Sequence, residues 1–350
     1  MKKISVIASA LLVLAMLVGC AGTPVVYHTE CNCPTNGQTG TSGDQAELAQ
    51  GEVRTGLAIV GSVADSKAGE AAFDVTVAAV NVDADGVIRA CIIDSVGAKV
   101  AFDGTGTIAG DVNAPVATKN ELGDNYGMKA YGGAKYEWYE QAAALADFAV
   151  GKTVGELKNG AVDETGKAPA GTDLASSATI YLGGYVAAIE QAAADAQALG
   201  GSTEDELKLA INCSLADSAS ATAEKVGTAQ LNCDVAVLTV SGDTITGCYL
   251  DSLQAKVSFD AKGAITTDLS APLQTKNQLG EAYGMKAWGG AKYEWNEQAA
   301  NFARYVTGKT AAQVAGIAVN EKTAPTEADL ASGVTIAIAP FQALIAKAMQ

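Results

Sequence analysis

The sequence contains itself twice. YGMKAYGGAKYEW at residues 126–138 returns as YGMKAWGGAKYEW at residues 283–295. Across residues 118–141 and 275–298 only five of 24 positions differ: Glu121/Gln278, Asp124/Glu281, Asn125/Ala282, Tyr131/Trp288 and Tyr139/Asn296. The same shift of 157 residues carries Asp94-Ser95 onto Asp251-Ser252. A chain duplicated in this way must use one local solution at two places. It predicts two tandem homologous domains, residues 53–199 and 205–350, each large enough to build its own core. Two copies of this length are too few and too long for a solenoid.

Within a copy the pattern is mixed. Residues 73–82 (FDVTVAAVNV) alternate and are β-branched, residues 83–86 (DADG) form a turn, and residues 87–96 resume as a strand, which makes a hairpin. Residues 99–102 read as a further short strand. The glycine- and aromatic-rich stretch follows as irregular backbone. Apolar spacing over 136–150 (Trp138, Ala142, Leu145, Ala146, Ala149) predicts a helix stopped at Gly151. An Ala-rich helix is expected over 185–199, with its counterpart starting near Pro340. The fold class is α+β: in each domain an antiparallel β-sheet with helices packed on it.

The N-terminus addresses the chain to the outside. Lys2 and Lys3 precede an apolar run ending in Leu17-Val18-Gly19-Cys20, the order of a secretory signal peptide over residues 1–19. Cysteine after Leu-x-Gly resembles the bacterial lipobox, which implies lipidation at Cys20 and an anchor on the extracellular face of the cell membrane. Residues 20–52, rich in Gly, Thr, Asn and Ser, read as a flexible tether. With 23 basic against 39 acidic residues and a net charge of −16, the surface repels nucleic acid, and that class of partner is excluded. His28 is the only histidine, so His-centred triads and His-rich metal sites are excluded by count. Cys31 and Cys33 have no second pair to complete a zinc site. Cys91 and Cys248 fall at matching positions in apolar runs, and Cys213 and Cys233 flank a polar turn across which two strands would let them pair.

Ahead of the last helix of each copy stands a small polar motif. Residues 173–179 read DLASSAT and residues 329–335 read DLASGVT, both D-x-x-S followed by two small or apolar residues and Thr. This resembles the sequence recognised by flavin transferases, which move FMN from FAD onto a threonine hydroxyl as a phosphodiester. The resemblance implies covalent FMN at Thr179 and Thr335, with Asp173, Ser176, Asp329 and Ser332 as the recognised motif. Ser177 and Val334 depart from the more usual S-G-A-T. A phosphate placed just before a helix start meets unpaired N–H groups and the positive end of the helix dipole. The same residue types also suit an N-cap or a Ser/Thr turn, the alternative reading.

The duplicated stretch then has a use. A flavin ring asks for aromatic or thioether surface, for glycine where backbone comes close, and for a few donors. Tyr126, Tyr131, Tyr136, Trp138 and Met128 supply the first, Gly123, Gly127, Gly132 and Gly133 the second, and Lys119 or Lys129 a positive charge for a reduced flavin. Tyr283, Trp288, Tyr293, Trp295, Met285, Gly280, Gly284, Lys276 and Lys286 repeat the set. Thr118 and Thr275 open the loop that matches the flavin-contacting loop of related domains. The competing reading makes Trp138 and Trp295 core anchors of their helices.

Signal peptide, tether and paired motifs together look like the extracellular FMN-binding lipoproteins of flavin-based extracellular electron transfer in Gram-positive bacteria, the pheromone-lipoprotein A type. What this resemblance implies is a membrane-anchored electron carrier rather than a substrate-specific enzyme, with extracellular reductase activity compatible with it. The implied partners are a flavin transferase of the ApbE type, a membrane quinone-linked dehydrogenase and extracellular electron acceptors. The rival readings are a solute-binding surface lipoprotein with non-covalent ligand pockets and a structural surface protein.

Overall fold

A computed structural model describes residues 48–350, which belong to one compact unit. The signal peptide, Cys20, His28, Cys31, Cys33 and all of the tether before residue 48 lie outside the described residues. Among the described residues no helix is long and apolar enough to cross a membrane.

The first half begins with strands β1 (Glu52–Ser62), β2 (Glu70–Val82), β3 (Ile88–Phe102) and β4 (Ile108–Ala109). Helices α1 (Lys119–Leu122), α2 (Met128–Gly132), α3 (Trp138–Ala149), α4 (Val154–Ala161), α5 (Asp173–Ser177) and α6 (Gly183–Ala194) follow, with a 3₁₀ turn at Gly123–Tyr126. Strand β5 (Gln197–Ser202) leads into the second half, which has β6 (Glu206–Ser214), β7 (Gly227–Ser241) and β8 (Thr244–Phe259). Then come α7 (Lys276–Leu279), a 3₁₀ turn at Gly280–Tyr283, α8 (Met285–Gly289), α9 (Trp295–Val306), α10 (Ala311–Ala315), α11 (Ala328–Ala331) and α12 (Ala339–Ala348). Apart from β4, the element order after β5 repeats that before it. Both sheets are antiparallel, ordered β4-β3-β2-β1-β5 and β6-β7-β8.

The near-continuous apolar character of β2 and β7 follows from burial on both faces. Phe73, Val75 and Val77 face Leu231, Cys233, Val235 and Val257 in a core shared by the two sheets. Phe102 and Phe259, at matching positions, stack there with ring centroids 3.9 Å apart and planes 3° from parallel. The alternate residues Ala78 and Val80 turn outward to meet Trp138, Leu145 and Ile189 under the helices of the first half. Ala236 and Leu238 do the same beneath Trp295, Phe302 and Leu344. The layers therefore run helices, sheet, sheet, helices: each half has a core of its own beneath its helices, and a further inner core belongs to both halves.

Three boundaries differ from the sequence reading. The strands expected at 87–96 and 99–102 are one 15-residue strand, because Gly97 stays in register opposite Asp74. The helix expected to reach 199 stops at Ala194, and Gln197–Ser202 instead pairs with the edge strand β1. There Gly200 and Gly201 lie against the second sheet; a Cβ at either would come within 2.8 Å of Thr246 O or Thr239 Oγ1, which an Ala-rich helix does not permit. The glycine- and aromatic-rich stretch is a chain of short helical turns rather than irregular backbone. Cys213 and Cys233 sit directly opposite each other on β6 and β7, with their Sγ atoms 2.8 Å apart, the cross-strand placement that the sequence suggested.

Candidate functional site

The site is assembled upward from β3 and β8. Asp94 lies on β3 opposite Val77, and its carboxylate accepts from the N–H groups of Ser95 (2.7 Å) and Asn120 (3.1 Å). Asn120 Nδ2 donates back to Ile93 O at 2.9 Å, so the first turn of α1 is pinned to the sheet. Thr118 caps that turn, accepting from Glu121 N–H while Glu121 accepts from Thr118 N–H. Asp251, Asn277, Thr275 and Gln278 repeat the arrangement. Burial pushes the Asp251 carboxyl up to about 6, against the pull of its hydrogen bonds from Thr275, Asn277 and Ser252. Thr118 and Thr275 are buried and occupied as caps, which makes their contribution to a cofactor indirect.

What the cap presents is a lysine. The Lys119 ammonium lies 5.2 Å from the Tyr126 ring centroid and 5.1 Å from that of Trp138. Lys276 stands 5.4 Å from Tyr283 and 4.8 Å from Trp295, and burial lowers its pKa although Asp234 and Asp251 pull the other way. Lys129 and Lys286 are used differently. Lys129 pairs with Asp124 and Glu140 at 3.1 and 3.2 Å, and Lys286 with Glu281 and Glu297 at 3.3 and 3.4 Å. Of the two lysines the sequence offered in each copy, Lys119 and Lys276 are the ones set among the aromatics.

Gly127 and Gly284 start α2 and α8 with φ of 84° and 83°, in the left-handed region that glycine enters without strain. A Cβ there would also meet the ring of Tyr131 at 2.6 Å or of Trp288 at 2.7 Å. Those two rings are themselves almost fully exposed, 92% and 86%. Gly123 and Gly280 close α1 and α7 with φ near 50°, and nothing lies within 4 Å of a Cβ built on either, so conformation is what they supply. Buried Glu137 then accepts from the N–H groups of Met128 (2.8 Å) and Lys129 (2.9 Å), and Glu294 does so for Met285 (2.8 Å) and Lys286 (3.0 Å).

The decisive residue is one the sequence reading passed over. Gln141 lies on the buried face of α3, 1% exposed, and its Oε1 accepts three bonds: from Thr179 N–H (2.7 Å), Ile180 N–H (3.1 Å) and Thr179 Oγ1–H (3.2 Å). Its Nε2 donates to Tyr136 O at 3.0 Å and lies 3.9 Å from Met128 Sδ. Gln298 makes the same set with Thr335 (2.7 and 3.1 Å), Ile336 (3.2 Å), Tyr293 O (2.9 Å) and Met285 Sδ (4.0 Å). One side chain thus joins the duplicated YGMK stretch to the D-x-x-S-x-x-T motif, 38 residues apart in the first half and 37 in the second. The signal was present as a glutamine on an otherwise apolar helix face, unchanged between copies.

Thr179 and Thr335 are exposed, a few residues ahead of α6 and α12. Neither caps its helix, since the N-cap positions are Leu182 and Ile338. The capping role in this region falls to Thr172, which accepts from Ala175 N–H at the start of α5. Asp173 and Asp329 have their carboxylates at the surface, and Ser176 and Ser332 donate to the carbonyls of Asp173 (2.6 Å) and Asp329 (2.8 Å).

Beside Thr179, whose neighbours Ile180 and Tyr181 form part of its wall, is a cavity of about 400 Å³. Tyr126, Met128, Trp138 and Tyr185 line it, with Thr76 rising from the sheet and Gly184 from α6. Trp138 is 3% exposed and donates from Nε1 to Tyr185 Oη at 2.9 Å, so it anchors the core and walls the cavity together. In the second half Trp295 meets Phe341 edge-on at 5.9 Å. The size and the mainly aromatic, apolar wall suit a flat organic ligand. No family model, curated protein or solved structure matches the chain.

Proposed function

We propose that the chain is a membrane-anchored, extracellular flavoprotein built from two tandem homologous domains. Each domain carries one FMN, bound through a threonine phosphodiester at Thr179 or Thr335. The observation that carries this reading is the double use of Gln141 and Gln298. Each holds an exposed threonine that caps no helix against a glycine-, methionine- and aromatic-rich turn. An N-cap or Ser/Thr turn does not need such a device.

The residues fit the group. Tyr126, Met128, Trp138 and Tyr185 offer surface to a planar ring system, and the Lys119 ammonium above Tyr126 and Trp138 offers positive charge. Gln141 fixes the backbone of Thr179 and Ile180 through two N–H groups, which leaves the threonine side chain at the surface where a modifying enzyme reaches it. Ser176 and Asp173 stand exposed one helical turn away, available to the same enzyme. A bound flavin would supply reversible electron uptake; the chain supplies position, electrostatics and retention at the cell surface. A membrane quinone-linked dehydrogenase then serves as the donor and an extracellular acceptor as the sink.

The test is co-expression with a flavin transferase of the ApbE type, read by intact mass and absorption. The wild type gains two FMN phosphodiester increments and a flavin spectrum, Thr179→Ala and Thr335→Ala gain one each, and the double variant none. Two covalent flavins on the double variant would place the attachment elsewhere. A ligand that leaves on denaturation would instead favour the solute-binding reading.

A further inference from the structure

The two sites share their duplicated residues and differ in charge. Thr76 lies opposite Ser95 in the β2–β3 pair, and Asp234 lies opposite Ser252 in the β7–β8 pair. Ser95 and Ser252 are equivalent in the duplicated sequence, so Asp234 stands where the first half has Thr76. Both point away from the shared core, because their neighbours Val75 and Val77, or Cys233 and Val235, fill it. Thr76 lines the cavity of the first half. In the second half the carboxylate at that place acts on the Lys276 ammonium and on Tyr283, the counterparts of Lys119 and Tyr126.

Several of the other charges around the two sites are the same in both halves. Asp94 and Asp251 are equivalent, as are Glu137 and Glu294. Glu121 has neutral Gln278 as its counterpart, but Glu121 is paired with Lys347. Lys99 is paired with Glu70, whereas its equivalent Lys256 lies exposed and its like charge reaches Lys276, opposing part of the Asp234 field there. Asp74, where β7 has Asn232, is exposed two residues farther along β2 and outside the cavity wall. Two further differences lie in the wall. The Tyr185 hydroxyl, beside Trp138, is absent in Phe341, and Tyr181, which walls the first cavity, is replaced by Ala337.

We infer that the two sites hold electrons at different potentials, the flavin on Thr179 being the better acceptor and the flavin on Thr335 the stronger reductant. The inference rests on the reading of Thr179 and Thr335 given above. At neutral pH a flavin that takes up two electrons and one proton gains one negative charge. Beside Lys119 and neutral Thr76 that charge is favoured. Beside Lys276, whose field Asp234 offsets, it is favoured less.

The experiment is a spectroelectrochemical titration, against dithionite and a set of mediators, of the two flavinylated single-site proteins. Thr335→Ala isolates the first site and Thr179→Ala the second. The first site is expected to be reduced at least tenfold more readily at equilibrium, about 30 mV for a two-electron couple. Asp234→Asn in the Thr179→Ala background should close most of that gap, and Thr76→Asp in the Thr335→Ala background should lower the first site by a similar amount. Equal or reversed potentials, or no response to both charge changes, overturn the inference while leaving the flavin assignment intact. Absence of covalent flavin by intact mass overturns the assignment and the inference with it.

Discussion

The buried side chains of Gln141 and Gln298 each satisfy three donors with one oxygen. Truncation to alanine removes the acceptor of two part-buried backbone N–H groups, and an unsatisfied buried donor costs roughly 1–3 kcal/mol. Gln141→Ala and Gln298→Ala are therefore expected to lower unfolding free energy by about that amount each, as read from urea midpoints. Flavin incorporation at the linked threonine should fall with it. Asp251 gives a second residue-scale expectation. Its folded pKa is raised from 3.8 to about 6, so between those values the folded state keeps a proton that the unfolded state has released. Stability therefore falls as pH rises from about 4 to about 6 and is level above, a loss of order 3 kcal/mol at most. Asp251→Asn keeps an acceptor for Ser252 and Asn277 N–H and should flatten that slope in denaturation curves taken across the window. The duplicated threonines and aromatics were visible in the sequence as residues; Gln141 was not, because its role exists only once α3 has brought it under the chain at Thr179.

At the scale of elements, the turn from Gly127 to Gly133 is the piece the fold works hardest to hold. It rests on a left-handed glycine, on Glu137 beneath its first N–H groups and on a second left-handed glycine at its end. Gly127→Ala and Gly284→Ala should each destabilise by about 1–3 kcal/mol, from backbone strain and from collision with the Tyr131 or Trp288 ring. Thermal melts of the single and double variants check this, and additive shifts are expected for sites this far apart. The hairpin of β2 and β3 and the helix α3 were legible from alternation and from apolar spacing, as was the approximate start of α6. Strands β1 and β6 were not, since GLAIVGS and KLAINCS are short apolar runs whose period alone does not decide their type. Strand β5 was misread as helix because Ala-rich spacing runs on past Asp195; only the open edge of β1 explains why the chain turns back to extend the sheet there.

At the scale of the molecule, the inner core joins what the sequence suggested would be separable. Residues 48–199 made alone would expose Phe73, Val75, Val77, Val100 and Phe102 on one face of a sheet, a contiguous apolar patch that soluble monomers avoid. Such a half is expected to self-associate or to remain unfolded in size-exclusion and light-scattering measurements, while residues 48–350 unfold in one cooperative transition. A monomeric, fully folded half would show that the inner core is dispensable. Duplication was plain from the sequence; that the copies fold onto each other was not, because the doubly buried strands look the same whether helices or a sister sheet cover the second face.

The layer order has one more consequence. The two threonine sites are built on opposite outer faces, so a protein seated on one leaves its twin open to solvent. On the proposed reading, donor and acceptor would not compete for the same footing, and two tightly packed sheets between the sites would favour exchange through outside visitors over an internal hop.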